Sequence, residues 1–157
     1  MNTNSKFFMF RAIELSINSV KNGGGPFGCV IVKNNKIIAE GSNEVTKTND
    51  PTAHAEIVTI RKACTNINDF NLKNTHLYTS CEPCPMCLSA IYWSHIDKIF
   101  YGNTRIDAAK IGFDDNYIYH ELRKELSKRT IPMEQIYQKE ANKAFDAWEF
   151  KTDKIEY

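Results

Sequence analysis

Small or apolar residues recur through residues 6–22 at Phe8, Ala12, Leu15 and Ser19, the i, i+4, i+7, i+11 spacing of one helical face. Asn4 or Ser5 can cap this helix, and the run Gly23-Gly24-Gly25-Pro26 ends it. Residues 27–33 form a strand-like apolar run, Asn34-Asn35 supplies a turn, and 36–40 return, which predicts a β-hairpin. The polar stretch 41–51, with Asn43, Asn49 and Asp50, reads as a loop. Asp50 or Thr52 can cap a second helix over 53–64. Residues 75–80 predict a third strand. Pro83 and Pro85 then fit the first turn of a helix running to about Trp93, because proline is tolerated there. A short fourth strand is predicted over 98–101, with helical segments over 107–110 and 116–125. Alternation over 133–137 predicts a fifth strand. A last helix over 142–154 places Phe145, Trp148 and Lys151 on one face. The order α-β-β-α-β-α-β-α-β-α implies an α/β layered domain: one mixed five-stranded sheet with helices on both faces.

A length of 157 residues suits a single domain over 1–157. The chain shows no internal repeat, low-complexity tract or linker. Hydrophobic residues make up 42%, aromatic 11% and charged 25%, which excludes a disordered chain, a coiled coil and a collagen-like repeat. No apolar run approaches the roughly 18 residues a membrane helix needs. Residues 1–6 lack a signal-peptide pattern. A cytoplasmic protein with no membrane partner is the expectation. Twenty Lys and Arg stand against 19 Asp and Glu, a net charge of +1. Phosphate binding calls for a basic excess. The C-terminal stretch 116–157 balances its basic residues, such as Arg123 and Lys128, with acidic ones such as Glu121 and Glu125. No nucleic-acid partner is expected.

The five cysteines are Cys29, Cys64, Cys81, Cys84 and Cys87. An odd count without a secretion signal argues against a disulfide framework, and the crowding of the last three argues for metal or redox chemistry. Cys29 in an apolar strand and Cys64 on a helix suit core packing. Cys84 and Cys87 lie three apart at a helix start, so both sulfurs share one face and can reach one ion. A helix N-terminus favours their thiolates. His54 stands at the start of the preceding helix. If both helices pack on one face of the sheet, the three side chains can meet around one zinc ion per chain. Three protein ligands leave the fourth tetrahedral position to water, whose pKa then falls to about 7. Glu56, two residues after His54, can take that water's proton and pass it on. Two other readings stand beside this one. Cys81 could complete a closed structural site, and Cys84-x-x-Cys87 could be a redox pair, which leaves His54-x-Glu56 unexplained. His76, His95 and His120 have no partner motif and suit structural or exposed roles.

His54-x-Glu56 with Pro83-Cys84-x-x-Cys87 is the signature of zinc deaminases. Asp50-Pro51-Thr52-Ala53-His54-Ala55-Glu56 and Pro83-Cys84-Pro85-Met86-Cys87 resemble the cytidine and deoxycytidylate deaminase superfamily. The runs Gly25-Pro26-Phe27-Gly28, Cys81-Glu82-Pro83-Cys84-Pro85-Met86-Cys87-Leu88 and Ala90-Ile91-Tyr92-Trp93 make the resemblance closer. So do Asp107-Ala108-Ala109-Lys110, Gly112-Phe113-Asp114-Asp115 and the terminal Glu156-Tyr157. These resemble the small, zinc-dependent bacterial guanine deaminases, over essentially the whole chain. The zinc motifs are common to the superfamily and choose no substrate. The Gly-Phe-Asp-Asp run and the terminal Glu-Tyr are more specific.

The resemblance implies a three-layer α/β/α cytidine-deaminase-like fold and hydrolysis of guanine to xanthine and ammonia. It implies zinc on His54, Cys84 and Cys87, with Glu56 as proton shuttle. Asn43, Phe27, Trp93, Asp115 and Tyr157 would meet the purine base, and Asp115 would also help to move protons. Guanine's reacting edge offers N–H donors that suit the Asp115 carboxylate, whereas adenine offers a ring acceptor there; such mismatches discriminate by roughly 10⁴–10⁵. The resemblance further implies a homodimer in which the segment from about 140 to 157 is exchanged. The chain departs from the pattern in residues 139–143 and at Ser89, away from the chemistry, and the former leaves the path of the final helix open. The competing readings are a tRNA adenosine deaminase, which must hold a polyanion, and a zinc-stabilised binding module without turnover.

Overall fold

The computed structural model describes residues 3–156. The order is α1 (Thr3–Lys21), β1 (Gly28–Lys33), β2 (Lys36–Ser42), α2 (Val45–Thr48), α3 (Ala55–Ile67) and β3 (Thr75–Cys81). There follow α4 (Pro85–Trp93), β4 (Lys98–Asn103), α5 (Arg105–Lys110), α6 (Asn116–Arg123), a 3₁₀ turn (Leu126–Lys128) and α7 (Gln138–Glu149). The chain divides into two compact units, residues 1–115 and 116–157.

The first unit is a mixed open sheet of four strands in the order β2-β1-β3-β4. β1 runs antiparallel to both β2 and β3, and β3 runs parallel to β4. Asn34 and Asn35 turn the hairpin at φ 51° and 59°, the left-handed geometry that matches strand twist and that asparagine tolerates. Strand alternation then sorts the core. Cys29 and Ile31 of β1 and Leu77 of β3 pack on one side with Ala55 and Ala63 of α3 and Ile91 of α4. Val30, Val32 and Tyr78 face the other side and pack with Phe8 and Ala12 of α1. Helices therefore cover both faces of this sheet.

α1 lies close on β1 because Gly28 has no side chain. A Cβ there would run into the Ala12 carbonyl oxygen and come to 2.6 Å from the Ser16 nitrogen. The buried stripe of α1 is Phe8, Ala12, Ser16 and Ser19. The predicted Leu15 is displaced to the stripe's edge by Ser16, whose hydroxyl bonds the Ile13 carbonyl at 2.7 Å.

The second unit holds α6, the 3₁₀ turn and α7. The predicted fifth strand is absent: residues 133–137 pair with no strand, and the sheet has four strands, not five. Met133 and Ile136 stay exposed, and Tyr137 at φ 53° turns the chain into α7. Alternation describes one face of a strand, but only a neighbouring edge with free N–H and C=O groups makes it one. α7 spans Gln138–Glu149, earlier than the predicted 142–154. α2 occupies part of the predicted loop 41–51. α3 begins after His54 without a side-chain cap, while Asp50 accepts from the Thr52 amide and hydroxyl one turn upstream. Among the described residues no helix is long and apolar enough to cross a membrane.

Gly28→Ala should lower unfolding stability by about 1–3 kcal/mol, the range for overpacking a core, read from the denaturant midpoint. An unchanged midpoint would show that α1 does not need this close approach.

Candidate active site

Two helix starts meet beside the end of β3. His54 is the N-cap of α3 and Cys84 the N-cap of α4, and both backbones are extended there. An N-cap side chain ordinarily accepts from the first-turn amides. Neither of these does. They turn to each other instead: His54 Nδ1 is 3.5 Å from Cys84 Sγ and 3.5 Å from Cys87 Sγ. The three donor atoms lie within 4.8 Å of one another. Cys87 is buried, and His54 and Cys84 are half-buried.

A hydrogen bond from the Cys87 thiol, helped by His54, holds Cys84 down to about 4, which favours its thiolate. That same bond, together with burial, raises Cys87. The hydrogen bond with Cys84 raises His54. One imidazole nitrogen and two sulfurs in this arrangement are the donor set of zinc. The residues present fit one zinc ion, with His54, Cys84 and Cys87 as its ligands.

Cys81 is not part of this cluster. Its thiol donates to the Thr104 carbonyl at 3.6 Å, and burial raises it to about 11. Cys29 is fully buried in the core, and Cys64 donates to the Phe70 carbonyl at 3.8 Å. His76, His95 and His120 are exposed.

Glu56 enters from the first turn of α3 and is only 5% exposed. Burial raises its carboxyl, opposed chiefly by Thr79, whose hydroxyl donates to Oε1 at 2.7 Å. Thr79 escaped the sequence analysis. Its signal was available: in β3, Thr75, Leu77, Thr79 and Cys81 share a face, and a hydroxyl on a core-facing position needs a polar partner.

Burial raises Asp115, and the negative charge of Cys84 raises it further. Arg105 acts on it in the opposite direction. The loop that carries it is fixed from two sides. Glu82 accepts from the Arg105 amide at 3.1 Å, and the Phe113 amide donates to the Ala108 carbonyl at 3.0 Å. Phe113 also meets Phe27 edge to face at 4.9 Å. Asn43 is buried behind Phe27: its amide donates to the Phe27 carbonyl at 3.0 Å, and its Oδ1 accepts from the Val45 amide at 3.3 Å. Trp93 ends α4 and is 67% exposed. Nine residues of helix put it about 13 Å along the axis from Cys84. Tyr157 lies outside the described residues.

Residues 2–103 match the cytidine and deoxycytidylate deaminase zinc-binding region. The chain belongs to the cytidine and deoxycytidylate deaminase family. Within it, the chain is 51% identical to guanine deaminase of Bacillus subtilis over 155 residues, 98% of this chain and 99% of that one. The X-ray structure of guanine deaminase from Bacillus subtilis superposes with a TM-score of 0.95, covering 100% of this chain and 99% of that one. A tRNA-specific adenosine deaminase of Buchnera aphidicola is 39% identical over 107 residues, 68% of this chain and 71% of its own. His54, Cys84 and Cys87 of this deaminase thus sit where a zinc-binding region is recognised independently of their geometry.

Metal analysis should find zinc in the purified protein and its loss in His54→Ala, Cys84→Ala and Cys87→Ala, while Cys81→Ser keeps it. Loss of zinc in Cys81→Ser would revive the closed four-ligand site.

Proposed function

We propose that this chain is a hydrolase that converts guanine and water to xanthine and ammonia. The observation that carries the choice of guanine is the extent of the likeness. The guanine deaminase of Bacillus subtilis matches 98% of the chain, whereas the tRNA deaminase relative matches 68%. The near-neutral charge supports a small base over a polyanion.

Zinc, when bound, supplies the Lewis acidity that brings the pKa of a coordinated water to about 7. Glu56 takes a proton from the attacking water as the new C–O bond forms at C2. It passes that proton to the ring nitrogen N3, then takes the second proton from the new C2 hydroxyl and gives it to the amino group, so C2=O forms, the C2–N bond breaks and ammonia leaves. Burial suits Glu56 to this work, because a proton carrier is most effective with its pKa moved toward the operating pH. Asp115 accepts from the N–H groups of guanine's reacting edge. Burial and the neighbouring thiolate raise its proton affinity, which also fits it to pass a proton. Asn43 contributes its side-chain NH2 to the purine, Phe27 forms one wall and Trp93 another.

The assembly belongs to the same reading. The second unit has no buried residue in α6 or α7 and exposes large apolar side chains, among them Ile131 at 77%, Phe145 at 76% and Phe150 at 80%. A surface of that kind calls for a partner. A homodimer that exchanges the C-terminal segment would cover it and bring Tyr157 to the base, completing one deaminase domain from two chains.

Ammonia release from guanine, adenine, cytosine and cytidine tests the substrate. The expected result is turnover of guanine alone, abolished in Glu56→Gln with zinc retained. Zinc-loaded protein that acts on none of these bases would overturn it. Removal of residues 155–157 should reduce guanine turnover at least about 100-fold, the scale of a misplaced reacting geometry, without loss of zinc. Near-normal turnover after that truncation would remove Tyr157 from the site.

A further inference from the structure

We infer that Thr79 is a positioning residue that holds the Glu56 carboxylate in its working orientation. The inference rests on the proton-carrying role proposed for Glu56. Glu56 reaches the cluster from a helix start, and α3's first turn fixes only its backbone. The side chain beyond Cβ has several rotamers open to it. Thr79 belongs to the central strand β3, paired on both sides by β1 and β4, and is fully buried. Its χ1 is stiff, as in any β-branched residue packed on a sheet. Its hydroxyl donates to Glu56 Oε1 at 2.7 Å. A rigid donor on an inner strand thus ties one carboxylate oxygen and leaves the other for the proton in flight.

The burial makes the tie consequential. At a side chain this enclosed the loss of a donor is costly, and a Glu56 without Thr79 is free to leave its working orientation. Thr79 therefore fixes the proton carrier from the side of the strand. Thr79→Val preserves shape and removes the donor. Thr79→Ser preserves the donor and removes a methyl group. A packing role ranks valine as the milder change, and a positioning role ranks serine as the milder one.

With zinc-loaded protein and guanine as substrate, Thr79→Val should lower kcat about 10–100-fold, the cost of a misplaced catalytic group, with KM within about twofold. Thr79→Ser should restore kcat to within about threefold of the parent. The bond itself is read without turnover, by thermal unfolding of Thr79→Val in the parent and in the Glu56→Ala background. The Tm loss should be large in the parent and small without Glu56. Equal Tm losses in both backgrounds, or a valine variant as active as the serine variant, overturns the inference. A parent protein inactive on guanine overturns the reading of the reaction instead, and the unfolding comparison still decides the bond.

Discussion

Everything at this site depends on two helices beginning at the same place. α3 leads away from it, β3 returns to it and α4 leaves again, so His54 and Cys84 become neighbours although 30 positions apart. The parallel pairing of β3 with β4 is the other half of this constraint, because it sends α4 across one face as a crossover. The cluster then lies beyond the carboxyl end of the parallel strands, the usual place for a ligand in an α/β sheet. What closes the geometry is a pair of N-caps that do not cap. Their side chains give up the first-turn amides and face each other, and a cation repays that choice.

Burial gives the site its chemical temper. Burial raises Glu56 and Asp115, the hydrogen bond with Cys84 and then burial raise Cys87, and the neighbours of Cys84 hold it low. Metal binding needs both thiols ionised and the imidazole neutral, so it expels protons and is weakened by acid. The sheet supplies rigidity, and the loop through Phe113 supplies a second carboxylate. The match to the family's zinc-binding region covers residues 2–103, and the loop that carries Asp115 lies beyond it.

The core of this arrangement was legible because it is local and rule-bound. His54-x-Glu56 and Cys84-x-x-Cys87 mark their donors by local spacing at two helix starts, and Asn34-Asn35 marks the hairpin by turn geometry. The strand predicted at 133–137 was not legible in the same way. Its pattern matches a strand, but pairing depends on an available edge, which is a property of the whole sheet. Thr79 left half a signal: its core-facing hydroxyl calls for a polar partner, but that the partner is Glu56 depends on how α3 packs. The placement of Asn43 behind Phe27 and the field of Cys84 on Asp115 are likewise tertiary facts.

The most direct test of the account is a titration of zinc into metal-stripped protein with xanthine formation from guanine followed at each addition. The account predicts activity rising in proportion to bound zinc and saturating at one ion per chain. Saturation of the cluster with zinc and no xanthine formed would contradict it.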